Sequence, residues 1–299
     1  MSDSILDTGT ICLVLELGAL GTRRKVATSA VDTRGADPEL VAVSKEILDC
    51  PEYDRIVSAQ GDLKRRVRSL ALPSQLFSRG SIYMVPVGLV EQADEMIVEA
   101  ERAIISDPAS LLERFLTVYD AATDRARVRL GPMFDPTDYP SPFRVRRAFK
   151  VAHSYLSLET PGKLAEISPA LFQRERAKAE QKISSMVEDV ESALTLALAD
   201  LCSHMVERLQ PSADGKPKIF RDSLVSNFSE FLTTFSARNV SGNADLEAVA
   251  ERARGLLSGV DAGVLRTVPT IRDGVAAGFA EIKLSLDSMV AARPSRMFL

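Results

Sequence analysis

Two histidines, His153 and His204, are the only ones in the 299 residues. Any imidazole base, Ser-His-Asp arrangement or histidine-ligated metal would have to use one of them. Asp200, Cys202 and His204 lie close in sequence but within a run of helical period. Residues two apart on a helix point about 200° away from each other and do not converge on one ion. Cys202 borders the apolar stripe and reads as core, and His204 reads as rim. His153 sits in an alternating stretch beside Ser154 and Tyr155, the setting of a half-buried strand residue rather than a general base. Cys12, Cys50 and Cys202 are odd in number and widely spaced, which fits neither a disulfide framework nor a C-x-x-C metal site and suggests a reducing compartment. Neither G-x-x-x-x-G-K-[ST] nor a G-x-G-x-x-G after a strand occurs. Gly18-x-x-Gly21-Thr-Arg-Arg-Lys25 has the wrong spacing for a phosphate loop and reads as a turn with a solvated basic edge. The sequence therefore predicts no catalytic residue, no metal ligand and no cofactor.

The remaining candidate site is a basic run: Arg125, Arg127 and Arg129, then Arg144, Arg146, Arg147 and Lys150, with Phe143, Phe149, Tyr139 and Tyr155 nearby. Cations interleaved with aromatics grip phosphates and stack bases. The same residues also suit an acidic protein partner, or are simply solvated. Lys plus Arg number 37 against 41 Asp plus Glu, a net charge of −4, so any basic site is local. Trp is absent and aromatics make up 6%, which thins the supply of stacking platforms. Lys64-Arg65-Arg66-Val67-Arg68 falls near a predicted helix C-terminus and is assigned to the helix dipole.

The elements that position these residues follow from periodicity. Thr10–Leu17 and Ser81–Val87 read as strands, and Val26–Val31 as a weaker one. Asp37-Pro38 looks like a helix cap opening a helical region that carries Leu40, Val43, Ile47, Ile56, Val57, Leu63, Val67 and Leu70 to Pro73, divided at Pro51. From Val87 an apolar stripe of helical period runs through Ala93, Ile97, Ile104, Phe115 and Ala122 to Ala126. A second runs from Pro169 to Gln210 through Ile183, Val190, Leu194, Leu201 and Met205. Between them, 131–168 is proline-rich and contains a strand-like stretch, Arg147–Leu158. Each stripe is about 60 Å long at 1.5 Å per residue and needs cover along that length, so an antiparallel hairpin of the two is expected. Its weak point is Asp107-Pro108: a kinked but continuous helix is the preferred reading, and a chain reversal the alternative. After a linker at Pro211–Pro217, helices are expected at 219–237, 244–257 and 264–292.

The predicted fold is mainly α (α+β), with a small N-terminal β-sheet and strands and helices in 1–88. A long antiparallel helical hairpin spans 89–210 with a basic, proline-rich tip at 131–168, and a C-terminal helical segment fills 211–299. Ile11–Leu20 is interrupted by Glu16 and is half the ~20 residues a membrane span requires. Met1–Thr10 lacks the basic start and apolar run of an export signal. A cytoplasmic protein without a membrane partner is expected.

Ile82-Tyr-Met-Val-Pro86, Phe115-Leu-x-x-Tyr119, Asp138-Tyr-Pro140 and Phe149 to Tyr155 give the chain a further character. On these motifs it resembles, over roughly residues 10–290, a domain-of-unknown-function family of bacteriophage and proteobacterial proteins. Some members are encoded near MoxR-type AAA+ ATPases and von Willebrand factor A-type proteins. The resemblance brings no catalytic residues and implies an accessory or adaptor role. Three functions follow as expectations: a non-catalytic interaction protein whose partner is an AAA+ ATPase or a second copy of itself; a nucleic-acid-binding protein of phage or plasmid DNA metabolism; and an enzyme with an unrecognised carboxylate site.

Overall fold

A computed structural model describes residues 9–27, 37, 40–73, 81–156, 160–210 and 222–291. The fold is mainly α with a small antiparallel sheet. The strands are β1 (Thr10–Gly18), β2 (Arg23–Val26), β3 (Val43–Glu46), β4 (Ile82–Pro86) and β5 (Lys150–Leu156). β1 is central in the order β4-β1-β5, and β2 and β3 pair separately. The helices are α1 (Pro51–Leu70), α2 (Val90–Glu101), α3 (Leu111–Leu130), α4 (Pro142–Ala148), α5 (Lys163–Ile167), α6 (Pro169–Leu209), α7 (Asp222–Arg238), α8 (Ala244–Leu257), α9 (Ala262–Thr267) and α10 (Pro269–Ala291). They belong to two compact units, one of residues 1–12, 70–90 and 156–299, the other of 13–69 and 91–155.

The larger unit is built on α6, whose core positions Ile183, Met186, Val190, Leu194, Leu198, Cys202, Met205 and Leu209 recur at steps of three and four and are all buried. α10 runs along α6 and also packs on α8. Phe279, Ile282 and Leu286 of α10 join Phe228 and Phe235 of α7 in that core. Ser168 caps α6 by accepting from Leu171 N, and Pro169 sits in the first turn, where its missing N–H costs nothing. The helix expected at 264–292 is two helices, because Val268 is extended ahead of Pro269. The linker at 211–217 lies outside the described residues.

The second unit has an aromatic centre. Phe115 is fully buried and its ring lies 5.8 Å from both Tyr53 and Phe149 and 5.7 Å from Tyr119. Gln60 of α1, 6% exposed, donates to the carbonyls of Gly18 (2.9 Å) and Lys150 (3.3 Å). Gly18 is required there: a Cβ would come 2.8 Å from the Ala148 carbonyl oxygen.

Three expectations change. The helical region beginning at Asp37-Pro38 is instead β3 followed by α1. Val43–Glu46 pairs antiparallel with Arg23–Val26, and Pro51 begins α1 rather than dividing a helix. The stripe from Val87 to Ala126 is not one helix. A π-helical turn at Arg102–Ser106 ends in extended Asp107 (ψ 140°), and Ser110 caps a new helix, α3, which folds back on that turn. The two runs fall in different units, and within each unit α10 covers α6, and Tyr53 and Phe149 cover Phe115 of α3. Finally, the proline-rich stretch is no projecting tip. Tyr139 donates to the Ile47 carbonyl (2.8 Å), Tyr119 to the Pro140 carbonyl (3.0 Å) and Lys45 to the Met133 carbonyl (2.6 Å). Asp138 meets Lys45 at 2.7 Å and Arg24 at 3.4 Å.

Candidate functional site

The seven basic residues all lie in the second unit and all are exposed, but they form two groups. Arg125, Arg127 and Arg129 project from the C-terminal half of α3. Arg144, Arg146 and Arg147 lie on α4, with Lys150 just after it at the start of β5, and Arg146 makes a two-armed ion pair with Glu113 in the first turn of α3. Sixteen residues separate Glu113 from Arg129, about 24 Å along the helix, so no single ligand phosphate spans both groups. Their charges are also largely answered. Arg129 pairs with Asp49, Lys150 with Glu16, and Arg127 with Asp124 at 3.8 Å. Arg127 further lies over Phe134 (5.2 Å) and Arg147 over Phe143 (5.7 Å). Arg146 holds the Glu113 carboxyl below the usual carboxylate range. Arg144 has no such partner among the described residues.

Arg125 and Arg129, one turn apart, line a cleft of about 810 Å³ inside this unit. Its other walls carry Arg23, Glu46, Asp49, Tyr53 and Asp54. Ala122 and Ala126 leave the room that larger side chains on α3 would fill. The size suits a small ligand, and three arginines face three carboxylates, so the lining has no charge bias.

Sequence reasoning missed a third cluster. His153 of β5 lies 2.7 Å from Asp94 Oδ1, and the Tyr155 hydroxyl donates to the same oxygen at 3.0 Å. The His153 side chain is 19% exposed and that of Asp94 45%. The two hydrogen bonds, His153 first, hold the Asp94 carboxyl below its usual range. Burial, reinforced by the carboxylate, pushes the Tyr155 phenol up to about 12. The legible signal was His153-x-Tyr155, two residues on one strand face. Nothing local pointed to Asp94, 59 residues away. The cluster ties α2 to β5.

Elsewhere, burial raises the Cys202 thiol to about 12, and Cys12 and Cys50 are buried and unpaired. Among the described residues no group of three or more His, Cys, Asp or Glu is placed to hold a metal ion, and no helix is long and apolar enough to cross a membrane. No protein-family model, curated protein or solved structure matches the chain.

Proposed function

We propose that the chain is a cytoplasmic, non-catalytic interaction protein, an adaptor whose partner is an AAA+ ATPase or a second copy of itself. One observation carries this reading: α6 runs on for several turns before its first buried residue, with the short α5 packed at its start. Its first buried residue is Ile183, which leaves 169–182, about 21 Å of helix, without a buried side chain. Phe172 and Ala179 continue the seam of Ile183, Met186 and Val190 into this segment. Ile167, just before it, is 77% exposed. A helix of that length gains most of its stability from packing, and a partner laid on the seam supplies it. The surface arginines fit the same role. Arg144, Arg147 and the 68% exposed Phe143 are the residue types enriched in protein interfaces, whereas the ion pairs of Arg129, Arg146 and Lys150 count against a phosphate-gripping surface.

The test is co-elution of the full chain with a MoxR-type ATPase, with ATP, with ADP and without nucleotide, alongside sedimentation of the chain alone across concentration. A complex or self-association that Phe172→Glu abolishes, without lowering the unfolding temperature, supports the reading. A monomer that co-elutes under no nucleotide condition overturns it. Anisotropy with single- and double-stranded DNA at about 50 and 200 mM salt separates out nucleic-acid binding, which would appear as affinity falling steeply with salt.

A further inference from the structure

The open cleft of about 810 Å³ beside α3 holds two opposite charges that the fold leaves unanswered. Of the three arginines and three carboxylates in its walls, four are already joined. Arg129 is paired with Asp49, and Arg23 with Glu46 at 3.4 Å. Arg125 of α3 and Asp54 of α1 remain. Among the described residues neither side chain makes a hydrogen bond or ion pair, with the other or with anything else. Arg125 also lacks the aromatic ring that Phe134 gives to Arg127 and Phe143 to Arg147. Glu52 lies within reach of its charge but forms no ion pair with it, and accepts instead from Cys50 Sγ at 3.3 Å.

Helical spacing sets each free charge beside groups that suit a ligand. Asp54, Val57 and Ser58 fall on one face of α1 at steps of three and four, and all three line the cleft and are exposed. The Ser58 hydroxyl makes no hydrogen bond among the described residues. A carboxylate and a hydroxyl oxygen are both acceptors, which an ammonium group with several N–H donors can use together. A quaternary ammonium has no N–H to give them. On α3, Arg125 carries donors only, in the fork that matches a carboxylate. Val57, Ala122 and Ala126 add apolar lining. An anion alone would leave Asp54 unanswered, and a cation alone would leave Arg125. A molecule bearing one of each answers both and keeps the cleft neutral.

We propose that this cleft binds a small zwitterion, a free amino acid or dipeptide with an apolar side chain, its carboxylate on Arg125 and its ammonium on Asp54 and Ser58. The cleft lies within the size range of small-molecule sites, and its apolar lining takes the side chain. The site lies wholly in the second unit, apart from α6, and stands whether or not α6 binds a partner.

The experiment is titration calorimetry on the full chain with L-leucine and with L-leucyl-L-leucine, each also in its N-acetylated and its C-amidated form. Expected is saturable binding of at least one free probe to the wild type. Either cap, and either of D54N and R125Q, should weaken it about tenfold or more, the loss of one charge-assisted contact. S58A removes an acceptor but no charge and should weaken it less than D54N. Leucine as the tighter probe identifies an amino-acid ligand, and the dipeptide as the tighter a short peptide. D54N and R125Q alter exposed side chains without partners, so both should unfold at the wild-type midpoint. A lower midpoint in either would show that its charge is already answered within the fold, and would overturn the proposal. So would no saturable binding of either free probe, binding that survives D54N or R125Q, or a capped probe that binds as well as its free form.

Discussion

Residues 90–130 and 169–209 have the same length and both carry apolar residues at helical spacing, yet only the second is a single helix. The difference lies in where proline falls. Pro169 occupies the first turn of α6, where its missing donor is one of the helix's orphans. Pro108 falls mid-run and forces Asp107 out of the helical region. Local bonds then fix the break. Asp107 N donates to the Arg102 carbonyl at 3.0 Å, Asp107 Oδ1 accepts from Ala109 N at 2.7 Å, and the Ser110 hydroxyl donates to the Ile105 carbonyl at 3.2 Å. The consequence is a different kind of core. The unbroken run buries mostly aliphatic residues over 27 residues, from Ile183 to Leu209, in a core shared with α7, α8 and α10. The broken run folds on itself and centres on an aromatic cluster tied by polar bonds.

The comparison is tested hardest at its two cores. Phe115→Ala removes the ring that Tyr53, Tyr119 and Phe149 all touch, and should cost about 3–5 kcal/mol in denaturant unfolding. A loss below about 1 kcal/mol would mean the cluster is not the centre of its unit. Leu194→Ala, at a position 1% exposed, should cost about 2–5 kcal/mol. Glu180→Ala, on the part of α6 before its first buried residue and paired with Arg176, should change stability by less than about 0.5 kcal/mol. Similar costs at 180 and 194 would show that the overhang is packed like the rest of the helix.

What the sequence could reveal followed from how far each signal reaches along the chain. β1, β4, α6 and α8 were legible because breakers bound a uniform period within a few residues: Asn243 and Gly259 flank α8, and Pro169 opens α6. β3 was not, since Val43, Ile47 and Leu40 mimic helical spacing. Its strand state comes from pairing with Arg23–Val26, some twenty residues away. The basic residues were legible as a group by composition alone. Which carboxylate answers each depends on contacts such as Arg146 with Glu113, 33 residues apart, and no periodicity encodes these.

The break at 107–110 gives a smaller effect. Ser110 is 2% exposed, accepts from Glu113 N at 3.3 Å and donates to Ile105. Ser110→Ala should therefore cost about 1–2 kcal/mol, the upper part of the range for a lost cap. Pro108→Ala should raise helix content by circular dichroism, because the ring is what keeps Asp107 out of the helical region. Unchanged content would show that the bonds of Asp107 and Ser110 hold the break without it.

The smallest expected effect concerns the polar tie between α2 and β5, which distinguishes the second unit's packing from the aliphatic seam of α6. Asp94 has a folded pKa below its unfolded value, so its contribution is present above pH ~4 and is lost as pH falls through the acid range. Tyr155 has the opposite sign. Its folded pKa of about 12 exceeds the unfolded ~10, so the phenol's contribution is complete below pH ~10 and declines as the pH rises from there toward its folded value. Tyr53, Tyr119 and Tyr139 are also raised by burial, which makes the alkaline loss of the wild type a shared one. The share of Tyr155 is read as the difference from Tyr155→Phe. The variant's denaturation midpoint should fall less steeply than wild type between about pH 10 and 12, while its acid limb keeps the Asp94 dependence through His153. In Asp94→Asn the acid limb should flatten, and adding Tyr155→Phe to that variant should change the alkaline limb less than it does in wild type, because the carboxylate is part of what raises the phenol. Parallel alkaline limbs for wild type and Tyr155→Phe would show that the hydroxyl is not held by Asp94 in solution, leaving His153 as the polar tie between α2 and β5.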